Sequence, residues 1–230
     1  HLGVANRLLA PFARRVCLAF PLEGREPPRF VVTGRPVPPP ATDLEAARAR
    51  FGLGEEERCV LVFGGSLGAR SINEAAIEAF RDAPYRVLHV TGRRDYATYQ
   101  YRGSDPRYSL VAYLERFGEA LLAADLCVAR AGGSIFEIAA HGTPAILVPY
   151  PHATGDHQSG NARWMERAGA AVVVRDEELT AERLRAEVDA LLADQARLAD
   201  MAAASRALAR PDAAERIAGE VVAAARGSSA

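Results

Sequence analysis

The chain has 230 residues, 49% of them hydrophobic and 25% charged, with 28 basic against 29 acidic side chains and a net charge of −1. That balance carries no nucleic-acid footprint, and no apolar run reaches the roughly 18 residues that a membrane-spanning helix needs. Every basic residue is arginine, which excludes a lysine Schiff base, a pyridoxal-phosphate anchor and the lysine of a Walker A loop. Any phosphate held here must meet arginine, hydroxyls and backbone N–H groups.

The sequence opens on His1 rather than Met. No signal-peptide pattern follows, because Arg7, Arg14 and Arg15 interrupt the apolar residues. A helix over residues 6–15 and short strands at 16–20 and 30–32 are too little to build a core, and they read as the tail of a domain whose beginning is absent. Then comes Thr33-Gly34-Arg35-Pro36-Val37-Pro38-Pro39-Pro40, a proline-rich run that reads as a stiff extended connector. From about Ala41 to Asp176, strand-like apolar runs at 58–63, 86–90, 108–112, 125–129, 145–148 and 171–174 alternate with helical stretches. Those stretches are 71–81, 94–101, 115–124, 134–141 and 158–168. The alternation is the signature of βα units on a parallel sheet, here one complete doubly wound domain. Beyond Thr180 the chain is rich in Ala, Arg and Glu and reads as helix, broken at Pro211, with a final helix at 212–226 and a disordered tail at 227–230. Cys17, Cys59 and Cys127 sit far apart inside apolar runs, and three is an odd number, so they read as reduced core thiols in a cytoplasmic protein.

In a doubly wound sheet a ligand lies beyond the carboxyl ends of the strands, which directs attention to the loops. Gly64-Gly65-Ser66-Leu67-Gly68-Ala69-Arg70 follows the first strand of the domain and precedes a helix with the capping pair Ser71 and Glu74. Its glycines let backbone approach an anion, and Ser66 adds a donor. The loop is neither a Walker A sequence nor a full GxGxxG, and a tight turn without ligand fits it as well. Arg130-Ala131-Gly132-Gly133-Ser134 opens the helix at 134–141. Spacing leaves two readings open there: a capping box of Ser134 with Glu137, or a phosphate on the free amides with Glu137 accepting from ribose hydroxyls. A third loop, from Pro149 to Asn161, is crowded with short polar side chains suited to sugar hydroxyls. His152, Asp156 and His157 match no zinc spacing, and there is no G-x-S-x-G elbow for a serine hydrolase.

Together these loops are far more specific than any one of them. The run Gly64-Gly65-Ser66-Leu67-Gly68-Ala69-Arg70-Ser71-Ile72-Asn73 closely resembles the GGSQGAR-x-x-N loop of the MurG family. Arg130-Ala131-Gly132, Glu137-Ile138-Ala139-Ala140, Gly142, Pro144-Ala145, Val148-Pro149, Pro151-His152, Asp156, Gln158 and Asn161-Ala162 follow in that family's order. The likeness covers nearly the whole chain.

The resemblance implies an α/β protein of the GT-B type, with a Rossmann-like doubly wound parallel sheet. This chain would be the C-terminal half of an inverting transferase that moves N-acetylglucosamine from UDP-N-acetylglucosamine to lipid I, giving lipid II. Residues 1–37 would close the acceptor domain, 38–208 would form the donor domain, and 209–230 would pack back on the acceptor domain. By the family's pattern, Gly65, Ser66 and Gly68 meet the donor phosphates, Leu114 the uracil edge through its backbone, and Glu137 the ribose. Gly132, Gly133 and Ser134 meet phosphate and sugar, while His157 and Gln158 face the N-acetylglucosamine hydroxyls. The family's donor-contacting arginine is replaced by Pro38, which leaves Arg35 as the candidate to reach the same ligand. The loop from Arg130 to Glu137 is also one residue shorter than the commonest form, and Leu67 replaces a frequent glutamine. No metal or other cofactor is expected. The general base, the lipid I site and the patch that meets the cytoplasmic face of the membrane are all expected outside this chain. The isolated chain should therefore bind UDP without turning over lipid I. The alternatives are a related GT-B enzyme with another acceptor, or a non-catalytic nucleotide-sugar-binding module.

Overall fold

The computed structural model describes residues 3–100 and 105–226. The expected tail and Tyr101, the end of one expected helix, lie outside them. The chain opens on helix α1 (Val4–Leu9), which gives way to a single 3-10 turn at Ala10–Phe12. Pro11 lies in that turn and has no N–H to continue the ladder. Strands β1 (Val16–Leu18) and β2 (Phe30–Val32) follow and, among the described residues, pair in parallel with each other alone. Cys17 is exposed, which corrects its reading as a core thiol. Cys59 and Cys127 are buried, and burial pushes the Cys59 thiol up to about 12.

Helix α2 (Leu44–Arg50), which the apolar periodicity did not reveal, begins behind an Asp43 cap whose carboxylate accepts from the Ala46 N–H. The large sheet and its crossovers then alternate: β3 (Cys59–Phe63), α3 (Arg70–Ala79), β4 (Arg86–Val90), α4 (Tyr96–Tyr99), β5 (Tyr108–Val111), α5 (Phe117–Ala123) and β6 (Leu126–Ala129). Next come α6 (Ile135–His141), β7 (Ala145–Leu147), α7 (His157–Arg167) and β8 (Ala171–Val173), then α8 (Ala181–Ala193), α9 (Gln195–Leu208) and α10 (Ala213–Arg226). The six strands are all parallel in the order β5-β4-β3-β6-β7-β8. The order reverses between β3 and β6, so a crevice opens beyond their carboxyl ends. Every β3 residue is buried because helices cover both faces of the sheet, which is why its sequence reads as an unbroken apolar run. Val60 and Val62 pack toward α3 and α8, and Leu61 and Phe63 toward α5 and α6. The helix beyond Thr180 is two helices, divided at Asp194, whose carboxylate caps α9 by accepting from the Arg197 N–H.

The final helix lies against the chain's own beginning: Arg14 donates to the Ala224 carbonyl at 2.9 Å and Arg15 pairs with Glu220 at 3.3 Å. Among the described residues, no helix is long and apolar enough to cross a membrane.

A fully buried polar chain braces the sheet under the first glycine loop. His89, with no exposed surface, has Nε2 3.0 Å from Asn73 Oδ1 and Nδ1 2.7 Å from the Tyr108 hydroxyl. Because Asn73 presents an oxygen, the His89 proton sits on Nε2, and Nδ1 accepts from Tyr108. Burial lowers the His89 pKa to about 3. An unfolded chain therefore takes up this proton first, so the His89 contribution to stability is level above pH 6.5 and declines as the pH falls toward 3. At pH 5 the loss should be about 2 kcal/mol relative to pH 7.5, at 1.36 kcal/mol per unit. Urea midpoints across that range check it, and a flat profile from pH 6.5 to 5 would refute a neutral buried His89.

Candidate functional site

The loops after β3 and β6 face each other at the point where strand order reverses. In the first loop, the Gly68 N–H donates to the Gly65 carbonyl at 3.0 Å, closing a turn. Gly65 has φ +98° and open space where a Cβ would stand, so its backbone is left bare to a ligand. Gly68 and Gly92, with φ +86° and +85°, pass at the end of β4 with no room for a side chain on either. A Cβ on Gly68 would lie 2.0 Å from the Thr91 carbonyl oxygen, and one on Gly92 would lie 2.2 Å from the Gly68 nitrogen. Asn73, one turn into α3, donates to the Thr91 carbonyl at 3.0 Å and to Asp95 Oδ2 at 3.2 Å, clamping the two segments together. The Arg94 guanidinium beside Asp95 holds that carboxyl below its ordinary range.

Neither expected cap forms. Ala69, not Ser71, stands at the start of α3, and Ser71 instead donates to Asp176 at 2.7 Å while Glu74 accepts from the Tyr99 hydroxyl. Ser134 precedes α6 with helical dihedrals, φ −64° and ψ −15°, rather than the extended ones a cap requires, and its side chain makes no capping bond. Of the two readings of Ser134 and Glu137, the capping box is therefore excluded. The Gly133 and Ser134 amides find no acceptor among the described residues, and Glu137 is half-buried. Desolvation raises its pKa, and the nearby Arg35 works against that rise.

A cleft of about 250 Å³ brings Gly65, Ser66, Leu114, Ser134 and Glu137 together with Phe63, Val90, Tyr113 and Phe117. Its floor is aromatic and aliphatic, with Phe117 edge-on to Phe63 at 4.9 Å. Its mouth carries the Ser66 and Ser134 hydroxyls, loop amides and one carboxylate. Such a slot accepts a flat apolar-faced ring at depth and hydroxyls or an anion at its mouth. Tyr113 stands at the rim under the Arg93 guanidinium, 4.4 Å from the ring centre.

The other sequence-based candidates lie around this cleft. Gly68 and Gln158 line a second cavity, about 680 Å³, on the far side of the glycine loop, together with Arg70, Arg94, Arg130 and Tyr150. The Gln158 carbonyl oxygen accepts from the Tyr150 N–H at 3.0 Å, which leaves its amide NH₂ as the free donor. His157, exposed, begins α7. Gly132 has open space where a Cβ would stand, and a Cβ on Gly133 would come within 3.1 Å of the Arg35 guanidinium. Arg35 lies 5.8 Å over the Phe136 ring, so the connector arginine does arrive at the second loop. Among the described residues, no three His, Cys, Asp or Glu side chains form a group able to hold a metal ion.

Two residues that organise the site escaped the sequence reading. Arg130 is 8% exposed and donates to the Val148 and Pro149 carbonyls, to Asp176 at 2.6 Å and to Ser71 at 2.8 Å. It thereby joins the first turn of α3 to the loops that follow β6, β7 and β8. Asn161 on α7 donates to the Ala131 carbonyl at 2.9 Å and pins the second loop from below. Both stood within matched motifs, but a pattern of residue types does not say which side chains turn inward.

These features, glycine loops at the reversal of strand order in a parallel six-stranded sheet, define the nucleotide-binding type of domain found in GT-B glycosyltransferases. The fold is shared with the crystal structure of Acinetobacter baumannii MurG, at TM-score 0.74 and 28% identity, over 94% of this chain and 62% of that one. It is shared at TM-score 0.65 and 23% identity with the calicheamicin glycosyltransferase CalG4, a likeness of fold alone. Residues 59–217 match the glycosyltransferase family 28 C-terminal domain. The chain is 44% identical to the UDP-N-acetylglucosamine–N-acetylmuramyl-(pentapeptide) pyrophosphoryl-undecaprenol N-acetylglucosamine transferase of Moorella thermoacetica, over 94% of this chain and 63% of that protein. Its identity to the Rubrobacter xylanophilus protein of the same name is 42%, over 97% of this chain and 68% of that protein. The chain belongs to glycosyltransferase family 28 and, within it, to the MurG family. It spans less than two thirds of the length of the Moorella relative.

Proposed function

We propose that this chain is the donor-binding part of an inverting transferase that moves N-acetylglucosamine from UDP-N-acetylglucosamine to lipid I, forming lipid II at the cytoplasmic face of the membrane. Residues 38–208 form the donor domain, 1–37 close the acceptor domain, and 209–230 return to pack on it. Uracil occupies the apolar floor of the cleft against the Leu114 backbone, and Glu137 accepts from the ribose hydroxyls. The diphosphate meets Gly65, Ser66, Gly68 and the amides of Gly132, Gly133 and Ser134, with Arg35 as the side-chain cation. The sugar extends toward His157 and Gln158.

The observation that carries this reading is the cleft at the strand-order reversal, where an apolar slot, bare loop amides and an uncommitted half-buried carboxylate converge. In the reaction the acceptor hydroxyl attacks the anomeric carbon, the bond to the phosphate oxygen breaks, and UDP leaves with added negative charge. Donors already aimed at the diphosphate stabilise that charge, each charge-assisted hydrogen bond contributing about 1.5–3 kcal/mol. Amides, a hydroxyl and an arginine supply this without a divalent metal, so donor binding should survive a chelator. The base that receives the acceptor proton, the lipid I site and the membrane-contacting patch belong to the acceptor domain, and nucleic acid is not a partner.

Calorimetric titration with UDP in the presence of chelator tests the reading, and absence of binding at millimolar UDP would sink it. Glu137→Ala sharpens the test. Because Glu137 caps nothing, folding stability should stay within about 0.5 kcal/mol of the parent. UDP affinity should fall about 10- to 100-fold, the loss expected for hydrogen bonds to a charged group.

A further inference from the structure

The helix that carries Glu137 is held by the connector at both of its ends. At the entry to α6, the Arg35 guanidinium lies over Phe136 and against Gly133. At the exit, His141 lies between the connector, α5 and its own helix. Its Nδ1 is 2.8 Å from the Glu137 carbonyl oxygen, and the Ala41 N–H reaches its Nε2 at 3.0 Å. A carbonyl can only accept and a backbone N–H can only donate, so the two contacts require one neutral tautomer, with the proton on Nδ1. Burial disfavours the charged form as well, offset in part by the bond to the Glu137 carbonyl. Room for the ring exists because residue 118 on α5 is glycine: a Cβ there would stand 2.9 Å from Nε2. Just before Ala41 the connector is Pro38-Pro39-Pro40, stiff enough that a displacement of the connector is carried to Ala41 rather than absorbed.

We propose that His141 is a positioning residue. Through its two ring nitrogens it ties the connector at Ala41 to the residue whose carboxylate reaches the cleft, so that the placement of the connector sets the placement of Glu137. The inference rests on the donor reading of the cleft given above. Nothing in His141 touches the ligand, and its effect is confined to how well Glu137 meets the ribose. A donor bound at Glu137 and the arrangement of the two domains around the connector are then coupled, each favouring one position of α6.

Pairs of ligands that differ only at the ribose test this directly. UDP and 2′-deoxy-UDP are titrated into the 230-residue chain, into His141→Phe, which keeps the ring volume but neither hydrogen bond, and into Ala41→Pro, which removes the N–H from the connector side and leaves the ring intact. The parent should prefer UDP by about 10-fold, the worth of a hydrogen bond to a charged group. In both variants the preference should shrink by about 3-fold or more. In a Glu137→Ala background, His141→Phe should change the ratio no further. A purely structural His141 would lower the melting temperature without moving the ratio, so an unchanged preference in both variants overturns the proposal while the donor reading stands. A parent that binds UDP with no ribose preference removes Glu137 from the ribose, and this inference with it. A parent that binds no UDP removes the donor reading itself. If His141→Phe does not fold, Ala41→Pro carries the same comparison without altering α6.

Discussion

Replacing Gly68 with alanine should lower folding stability by about 2–6 kcal/mol, combining roughly 1–3 kcal/mol for a side chain forced to positive φ with roughly 1–3 kcal/mol for overpacking. The two contributions have separate origins. Residue 68 has φ +86°, and its new methyl would stand 2.0 Å from the Thr91 carbonyl oxygen. Backbone cannot retreat there, because Thr91 O also accepts from Asn73 and the Gly92 backbone presses from the other side. The loop must reopen, and donor binding should fall with it. Gly65→Ala is the informative contrast: its φ is +98° but nothing lies within 4 Å of the added carbon. It should cost only about 1–2 kcal/mol, the strain alone, while the methyl enters the space assigned to the diphosphate. Urea unfolding of the two variants side by side checks the difference. A Gly68→Ala protein within 1 kcal/mol of the parent would mean that the loop and the end of β4 can separate freely.

The second large effect is expected at Arg130, the only arginine among the described residues that is buried. Arg130→Met keeps the length of the side chain and removes every hydrogen bond it makes. Asp176 then loses its partner at 2.6 Å, and the Val148 and Pro149 carbonyls lose a donor. Breaking a buried pair from one side typically costs about 3–5 kcal/mol, because the remaining charge stays desolvated. Asp176 retains some exposure and a bond from Ser71, so the lower end of that range, about 3 kcal/mol, is expected here. UDP affinity should fall too, although Arg130 is committed to protein groups, because α3 and the loops that follow β6, β7 and β8 lose their common tie. Restoring the pair's geometry with Arg130→Lys should recover little, since an ammonium cannot span Asp176, Ser71 and two carbonyls with a planar fork. Chemical denaturation together with UDP titration distinguishes this from a ligand-contacting role, in which affinity would fall while stability stayed near the parent's.

The strands were readable because their chemistry is local. A strand buried on both faces must be apolar throughout, and the runs at 59–63 and 126–129 announce themselves on that ground. Helix α2 was missed for the opposite reason: in Leu44–Arg50 only Ala47 is buried, so there is no apolar stripe to detect. The capping assignments failed where two explanations shared one pattern. Ser134 and Glu137 have the right spacing for a box, but the loop enters α6 with Ser134 already helical, so its side chain makes no capping bond and the carboxylate stays uncommitted. Cys17 went wrong because burial on a strand depends on which face a residue presents: Leu18 lies on the covered face of β1, whereas no described residue buries Cys17 on the other.

What the sequence determined by itself was the order of elements, the glycine loops and their resemblance to one family, all properties of residue type and spacing. Tertiary structure decided which of those residues meet. Only the folded sheet brings Ser66 and Glu137, far apart in the chain, to one cleft, and sends Gln158 to another cavity. It also turned Arg130 inward as a tie between loops and brought Arg35 and Ala41 onto the two ends of α6. The physical reason is the same in each case. Hydrophobic periodicity and glycine conformations are written residue by residue, whereas a hydrogen bond across many residues exists only once packing has fixed both partners and excluded water from between them.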